Sequence, residues 1–145
     1  MPHNTERDVE LQSVLNLLMP IRRQRLSRSE RQQRQEEQQL IRIVEQQRHH
    51  QQQAEVLRQA SQTQRDQFAR ETQGQRQTLE NLKNHLAVEQ RLLREIETET
   101  QQVQASQQQH HDQLHQVADA RNATRQCQKA VEKLEYLLTL PQEHV

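Results

Sequence analysis

One glycine in 145 residues constrains this chain more than any other feature. Gly74 stands almost at the midpoint, in the polar run Thr72-Gln73-Gly74-Gln75, and only three prolines join it as breakers. Disordered chains are usually rich in both residues, so this scarcity argues for order. The bulk of the chain is Gln, Glu, Arg, Leu and Ala, which lose little rotamer freedom in a helix. Glutamine makes up about a fifth of it. The Gln tracts are interleaved with charges rather than with Asn or aromatics, which separates them from prion-like sequence. Long helices are expected.

The hydrophobic content then limits how those helices can pack. Only 30% of residues are hydrophobic, the aromatics are one Phe and one Tyr, and there is no Trp. Burial yields roughly 25 cal/mol per Å², against roughly 1–2 kcal/mol of backbone entropy per ordered residue. So few large side chains cannot fill a globular core, but they can line a narrow seam between helices.

The breakers give a plan of two helices and one hinge. Asn4 or Thr5 suits a helix start, with Asp8 three residues after Thr5 in capping-box spacing. Pro20 either kinks the first helix or begins a new one. Pro141 ends the second half. The expected architecture is an all-α, elongated two-helix antiparallel coiled-coil hairpin spanning 1–145. Helix 1 runs over about 5–72, the turn over about 73–75 and helix 2 over about 76–140.

Apolar spacing supports the plan. Leu79, Leu86 and Leu93 recur every seven residues, and Leu82, Ile96 and Val103 form a series offset by three, continued by Leu114, Val117, Val131 and Leu138. In the first half Met19, Leu26, Leu40, Ala54 and Phe68 share one sevenfold series, and Leu15, Ile43 and Leu57 the offset one. Polar residues take other seam positions: Gln33, Gln47, Ser61, Thr100, Gln107 and His110. Folding at Gly74 predicts that the numbers of facing residues sum to roughly 148, allowing a short helix–helix loop. Phe68 would then meet Leu79 and Leu82, Leu57 would meet Leu92 and Leu93, and Ile43 and Val44 would meet Val103 and Ala105. Leu11, Leu15 and Leu18 would meet Val131, Leu134 and Leu138. The firmest contacts are expected at the paired termini and near the turn, with loose Gln-rich stretches between. The alternative is two separate helices, each dimerising with another chain.

Chemistry-bearing clusters are scarce. In His110-His111-Asp112-Gln113-Leu114-His115, His111 and His115 share a helix face, and His-Asp-x-x-His resembles a zincin motif. A catalytic zinc needs a third ligand and a shaped, dry pocket, and the hairpin register places His49 and His50 beside Glu97 to Glu99 instead. A solvated helix face is therefore the expectation, with no metal and no cofactor. One glycine excludes phosphate-binding loops. Cys127 is expected to pack near Ala120, Ala123 and Val131 rather than act as a nucleophile. Phe68 and Tyr136 are too few for a base-stacking platform. With no water-excluded cleft in prospect for its carboxylates, the chain is not expected to be an enzyme.

Charge and punctuation narrow the setting. Twenty basic residues balance twenty acidic ones, so nucleic acid and anionic membranes are not expected partners. A single cysteine suits a reducing compartment. Met1-Pro2-His3-Asn4 runs into the charged Glu6-Arg7-Asp8, which does not read as a signal peptide. The stretch from Val9 to Met19 is too short and too interrupted to span a bilayer. A cytoplasmic protein is expected. One cluster stands out: Arg22, Arg23, Arg25, Arg28, Arg31 and Arg34 spread around the helix and leave a gap at Leu26, Ser29 and Gln33. It is either a solvated face or a docking surface for an acidic protein.

The run Ile21-Arg22-Arg23-Gln24-Arg25-Leu26-Ser27-Arg28-Ser29-Glu30-Arg31 resembles the Arg-rich start of type III secretion stalk proteins, the YscO/HrpO family related to flagellar FliJ. The stretch from Ala120-Arg121 through Lys129-Ala130-Val131-Glu132-Lys133-Leu134-Glu135-Tyr136-Leu137 is similar to that family's closing helix. Size, composition and the single hinge also match, and the likeness is closest to the HrpO-like members of plant-associated bacteria. The resemblance implies a cytoplasmic, monomeric stalk whose paired termini enter a hexameric secretion ATPase, peripheral to the inner-membrane export apparatus. It implies that Arg22, Arg23, Arg25, Arg28, Arg31, Arg121, Lys129 and Lys133 face the ring. By position alone, the turn region around Leu57, Phe68, Leu79 and Leu82 would approach the export gate protein. Some family members also bind secretion chaperones or gatekeepers. A competing reading is a coiled-coil scaffold or adaptor that dimerises and spaces its partners.

Overall fold

The computed structural model of the chain describes residues 2–140, with side chains from Glu6 onward. It contains two helices, α1 (Pro2–Thr72) and α2 (Leu79–Thr139), and no strand among the described residues. They pack antiparallel: Ser29 meets Thr124, and Phe68 meets His85. The protein is an all-α two-helix hairpin with coiled-coil-like packing, as the lone glycine and the apolar repeat predict.

The ends of the helices differ from expectation in instructive ways. The backbone of α1 is helical from Pro2, so Asn4 and Thr5 lie inside the helix rather than at its start. Proline suits a first helical position because its missing N–H would be unpaired there anyway. Pro20 neither begins nor interrupts a helix, since α1 passes through it. It removes one backbone donor, but Pro20 and Asn16, whose carbonyl loses that partner, are both exposed to water. Pro141 lies outside the described residues.

At the hinge, Gly74 adopts φ 70°, the left-handed conformation that other residues resist. The Gln75 N–H donates to the Thr72 carbonyl at 3.1 Å, closing the turn. Helix α2 starts at Leu79 rather than about residue 76, because Thr78 caps it: its hydroxyl accepts from the Asn81 N–H at 3.1 Å. The connection therefore takes six residues, 73–78, instead of three.

That longer connection shifts the register. Ser29 with Thr124 and Phe68 with His85 both give numbers that sum to 153, not 148. Phe68 thus stacks on His85 instead of meeting Leu79 and Leu82, which are exposed. Leu93, Ala105 and Leu11, also expected on the seam, are exposed.

In α1 the inward positions alternate steps of three and four along the predicted series. They run through Leu15, Met19, Arg22, Leu26, Ser29, Gln33, Glu36 and Leu40, then Ile43, Gln47, His50, Ala54, Leu57, Ser61, Gln64 and Phe68. In α2 one stripe is also as predicted, through Ile96, Val103, Val117, Val131 and Leu138. The second is displaced by one residue. His85, Leu92, Glu99, Ser106, Gln113, Ala120, Cys127 and Leu134 turn inward, while Leu79, Leu86, Leu93 and Leu114 are exposed. Continuing the exposed leucine series by sevens leads to Arg121, Gln128 and Glu135, which cannot be buried without partners. The neighbouring series delivers Ala120, Cys127 and Leu134 instead. Gln107, which belongs to the leucine series, falls outside the seam for the same reason, and Ala123 is exposed too.

Two compact units are distinguished within the hairpin. The first joins the chain up to Leu40 with the chain from Gln113. Its core is a cluster of Leu15, Met19, Val131 and Leu134, with Leu18, Leu26 and Leu138 packed against it. Ser29 and Thr124 form a 3.0 Å hydroxyl contact; the Thr124 hydroxyl donates to the Ala120 carbonyl, so Ser29 is the donor between helices. The Gln113 amide donates to the Glu36 carbonyl at 2.9 Å and to its carboxylate at 2.6 Å.

The second unit comprises Ile41–Asp112. Ile43 and Ala54 are its buried apolar residues, alongside buried Ser61 and Ser106. Polar contacts also cross between its helices: His50 Nδ1 to the Glu99 carboxylate at 2.9 Å, and Arg65 Nε to the Glu89 carboxylate at 2.9 Å. Phe68 and His85 stack with ring centroids 3.7 Å apart, and His85 Nδ1 is buried without a hydrogen-bond partner.

Candidate protein-binding surface

The arginines of α1 are distributed by the helical repeat. Positions three and four apart share a face, so Arg22 falls on the seam, Arg23 on one flank and Arg25 on the other, with Arg28 and Arg31 outside. Arg22 is half-buried, and its guanidinium donates to the Ala130 carbonyl at 3.2 Å. It therefore ties the helices together. Arg23 lies 3.7 Å from the Glu135 carboxylate, both groups well exposed, a geometry worth little in water.

On the other flank, cations from both helices converge. Arg22, Arg25, Lys129 and Lys133 surround a shallow groove of about 480 Å³, together with Gln126, Cys127 and Ala130. No carboxylate lines it. Cys127 is half-buried among the lining residues. Three mobile-stemmed cations and one fixed guanidinium, uncompensated within the groove, make a surface that attracts carboxylates.

Of the eight basic residues singled out in the sequence, the structure gathers these four. Arg28 and Arg31 are exposed but do not line the groove. Arg121 is engaged elsewhere: its Nε donates to the Glu37 carboxylate at 3.1 Å. Glu37 is held below the usual carboxylate range, first by the Gln33 amide at 3.0 Å and then by Arg121. Gln126 and Ala130 complete the groove and were missed in the sequence. Their signal was positional, since both flank the seam beside Cys127 and Val131.

The four turn-region residues do not come together. Leu57 and Phe68 belong to the seam and are half-buried, whereas Leu79 and Leu82 point outward. The position they were thought to complete is held by His85. His50 pairs with Glu99, within the expected neighbourhood of Glu97 to Glu99. His111 and His115 each have interaction partners, and no group of three potential metal ligands occurs among the described residues. Among those residues no helix is long and apolar enough to cross a membrane. No protein family, curated protein or solved structure matches the chain.

Proposed function

We propose that this hairpin is the stalk of a type III secretion export apparatus, coupling a hexameric secretion ATPase to the export gate. The observation that supports the reading is the groove of Arg22, Arg25, Lys129 and Lys133, built from both helices in the unit that joins α1 up to Leu40 with α2 from Gln113. A two-helix arm with a carboxylate-seeking surface on that unit suits insertion into an ATPase ring. In this reading the chain catalyses nothing itself, needs no cofactor and works in the cytoplasm at the inner-membrane apparatus. Leu79 and Leu82, the outward members of the turn region, are its contact toward the export gate.

The test is ATP hydrolysis by the cognate hexameric ATPase with and without the purified chain. Stimulation is expected, and Arg25→Glu with Lys129→Glu and Lys133→Glu should lower it at least about tenfold, the scale of lost charge-pair contacts. Circular dichroism of the triple variant should stay helical, because all three side chains are exposed. No stimulation by a fully helical wild-type chain would overturn the proposal.

A further inference from the structure

The leucines excluded from the seam form a stripe of their own. Leu79, Leu82, Leu86 and Leu93 are 67%, 39%, 53% and 46% exposed, all within one compact unit. Leu79, Leu86 and Leu93 are spaced by seven, so they lie in line along α2, and Leu82 connects them to the seam. A heptad row of leucines left in water on a helix already packed on its other side calls for a partner.

We infer that this stripe pairs with the same stripe of a second copy, antiparallel, about a two-fold axis at Leu86. The row is symmetric about that residue: Leu79 of one copy meets Leu93 of the other, and Leu86 meets Leu86. The next face of the helix decides the direction. It carries Glu80, Ala87 and Arg94, again spaced by seven. In an antiparallel pair Glu80 faces Arg94 of the second copy, Arg94 faces its Glu80, and the two small Ala87 side chains meet at the axis. Lys83 faces Gln90 without conflict. A parallel pair would leave Glu80 and Arg94 of the second copy fourteen residues apart along the axis, about 21 Å, and would lose this match. Glu80 and Arg94 are free for this role, since Arg94 donates only to the Gln90 carbonyl of its own helix. An isologous contact of this kind closes at two copies.

Four leucines per copy cover well under the roughly 1,200–2,000 Å² of a standard interface, so the dimer is weak, with Kd on the order of 100 µM. The chain is then largely monomeric at low micromolar concentration. Pairing covers Leu79, so the paired form and the gate-engaged form of the proposed stalk are alternatives. The basic groove takes no part in it.

Sedimentation velocity of the full chain from about 5 to about 500 µM tests this, the range bracketing the expected Kd. The wild type should shift from monomer to dimer. Leu86→Glu should abolish the shift without loss of helicity, because its side chain is exposed. Glu80→Arg, which sets Arg against Arg94 twice, should weaken dimerisation about tenfold, and Glu80→Arg with Arg94→Glu should restore it. A wild type that stays monomeric throughout, a dimer that survives Leu86→Glu, or a double variant no better than Glu80→Arg would each overturn the inference. Since the measurement uses the chain alone, its outcome is independent of ATPase stimulation.

Discussion

The two units of the hairpin use the same heptad geometry with different contents. In the unit up to Leu40 and from Gln113, the seam supplies Leu15, Met19, Val131 and Leu134, which form a continuous apolar cluster. In the unit of Ile41–Asp112 the equivalent positions hold Gln47, His50, Glu99 and Ser106, and the buried apolar residues are Ile43 and Ala54. Fully burying one large aliphatic side chain contributes roughly 1.5–3 kcal/mol, whereas a net hydrogen bond contributes about 0.5–1.5 kcal/mol. Backbone helicity alone therefore says little about strength. What fills the seam decides it, and the first unit should hold longest when the chain begins to open.

The largest expected effect breaks that first unit. Leu134 is 2% exposed at the centre of the cluster, and Leu134→Ala should cost about 3 kcal/mol, within the usual range for a buried leucine. Urea unfolding followed by circular dichroism measures the loss. Hydrogen exchange should show protection collapsing around Leu15 and Val131. If exchange accelerates equally around Ala54, the two units unfold together and the contrast drawn between them fails.

The next effect strengthens the second unit. Gln47 is half-buried, and the register that pairs Ser29 with Thr124 sets it opposite the small, buried Ser106. Gln47→Leu should stabilise by about 1 kcal/mol through apolar burial and slow exchange of amides near Ile43 and Ala54. Unchanged exchange there would mean that polarity of the seam is not what loosens it. At the hinge, Gly74→Ala should cost about 1 kcal/mol, entirely from forcing a side chain into φ 70°. A Cβ there meets nothing within 4 Å, so a cost several times larger would point to contacts the hinge does not have.

What could be read from the sequence follows the same division. Gly74 and the series from Met19 to Phe68 were enough for the hairpin and for the inward face of α1. The α2 frame was not, because Leu79, Leu86 and Leu93 outweigh His85, Leu92 and Glu99 locally, and Leu134, some forty residues further on, sets which frame wins. Register was missed by five because a capping role for Thr78 is hard to separate from helix continuation in Gln75-Arg76-Gln77-Thr78. The basic cluster was visible as composition, but its sorting was not. Arg22 turning to Ala130, Arg121 turning to Glu37, and Arg25 joining Lys129 and Lys133 all depend on a pairing register that one strand of letters does not contain.

The smallest effect concerns Arg121 and its partner. The Gln33 amide, and then Arg121, stabilise ionised Glu37 in the folded chain and lower its pKa below the ordinary carboxylate value of about 4.3. A folded-state pKa below the unfolded one means the stabilisation is complete above the ordinary range and is lost as pH falls through it toward the lower folded value. The wild type should therefore lose stability on acidification below about pH 5, and Glu37→Gln should flatten part of that decline while costing a little at neutral pH. Thermal midpoints of the two chains between about pH 3 and pH 7 check this. Arg121→Gln should flatten it less than Glu37→Gln, because the Gln33 amide still holds the carboxylate. Parallel curves for wild type and Glu37→Gln would show that this exposed contact adds nothing, and that stability in the first unit rests on its apolar cluster alone.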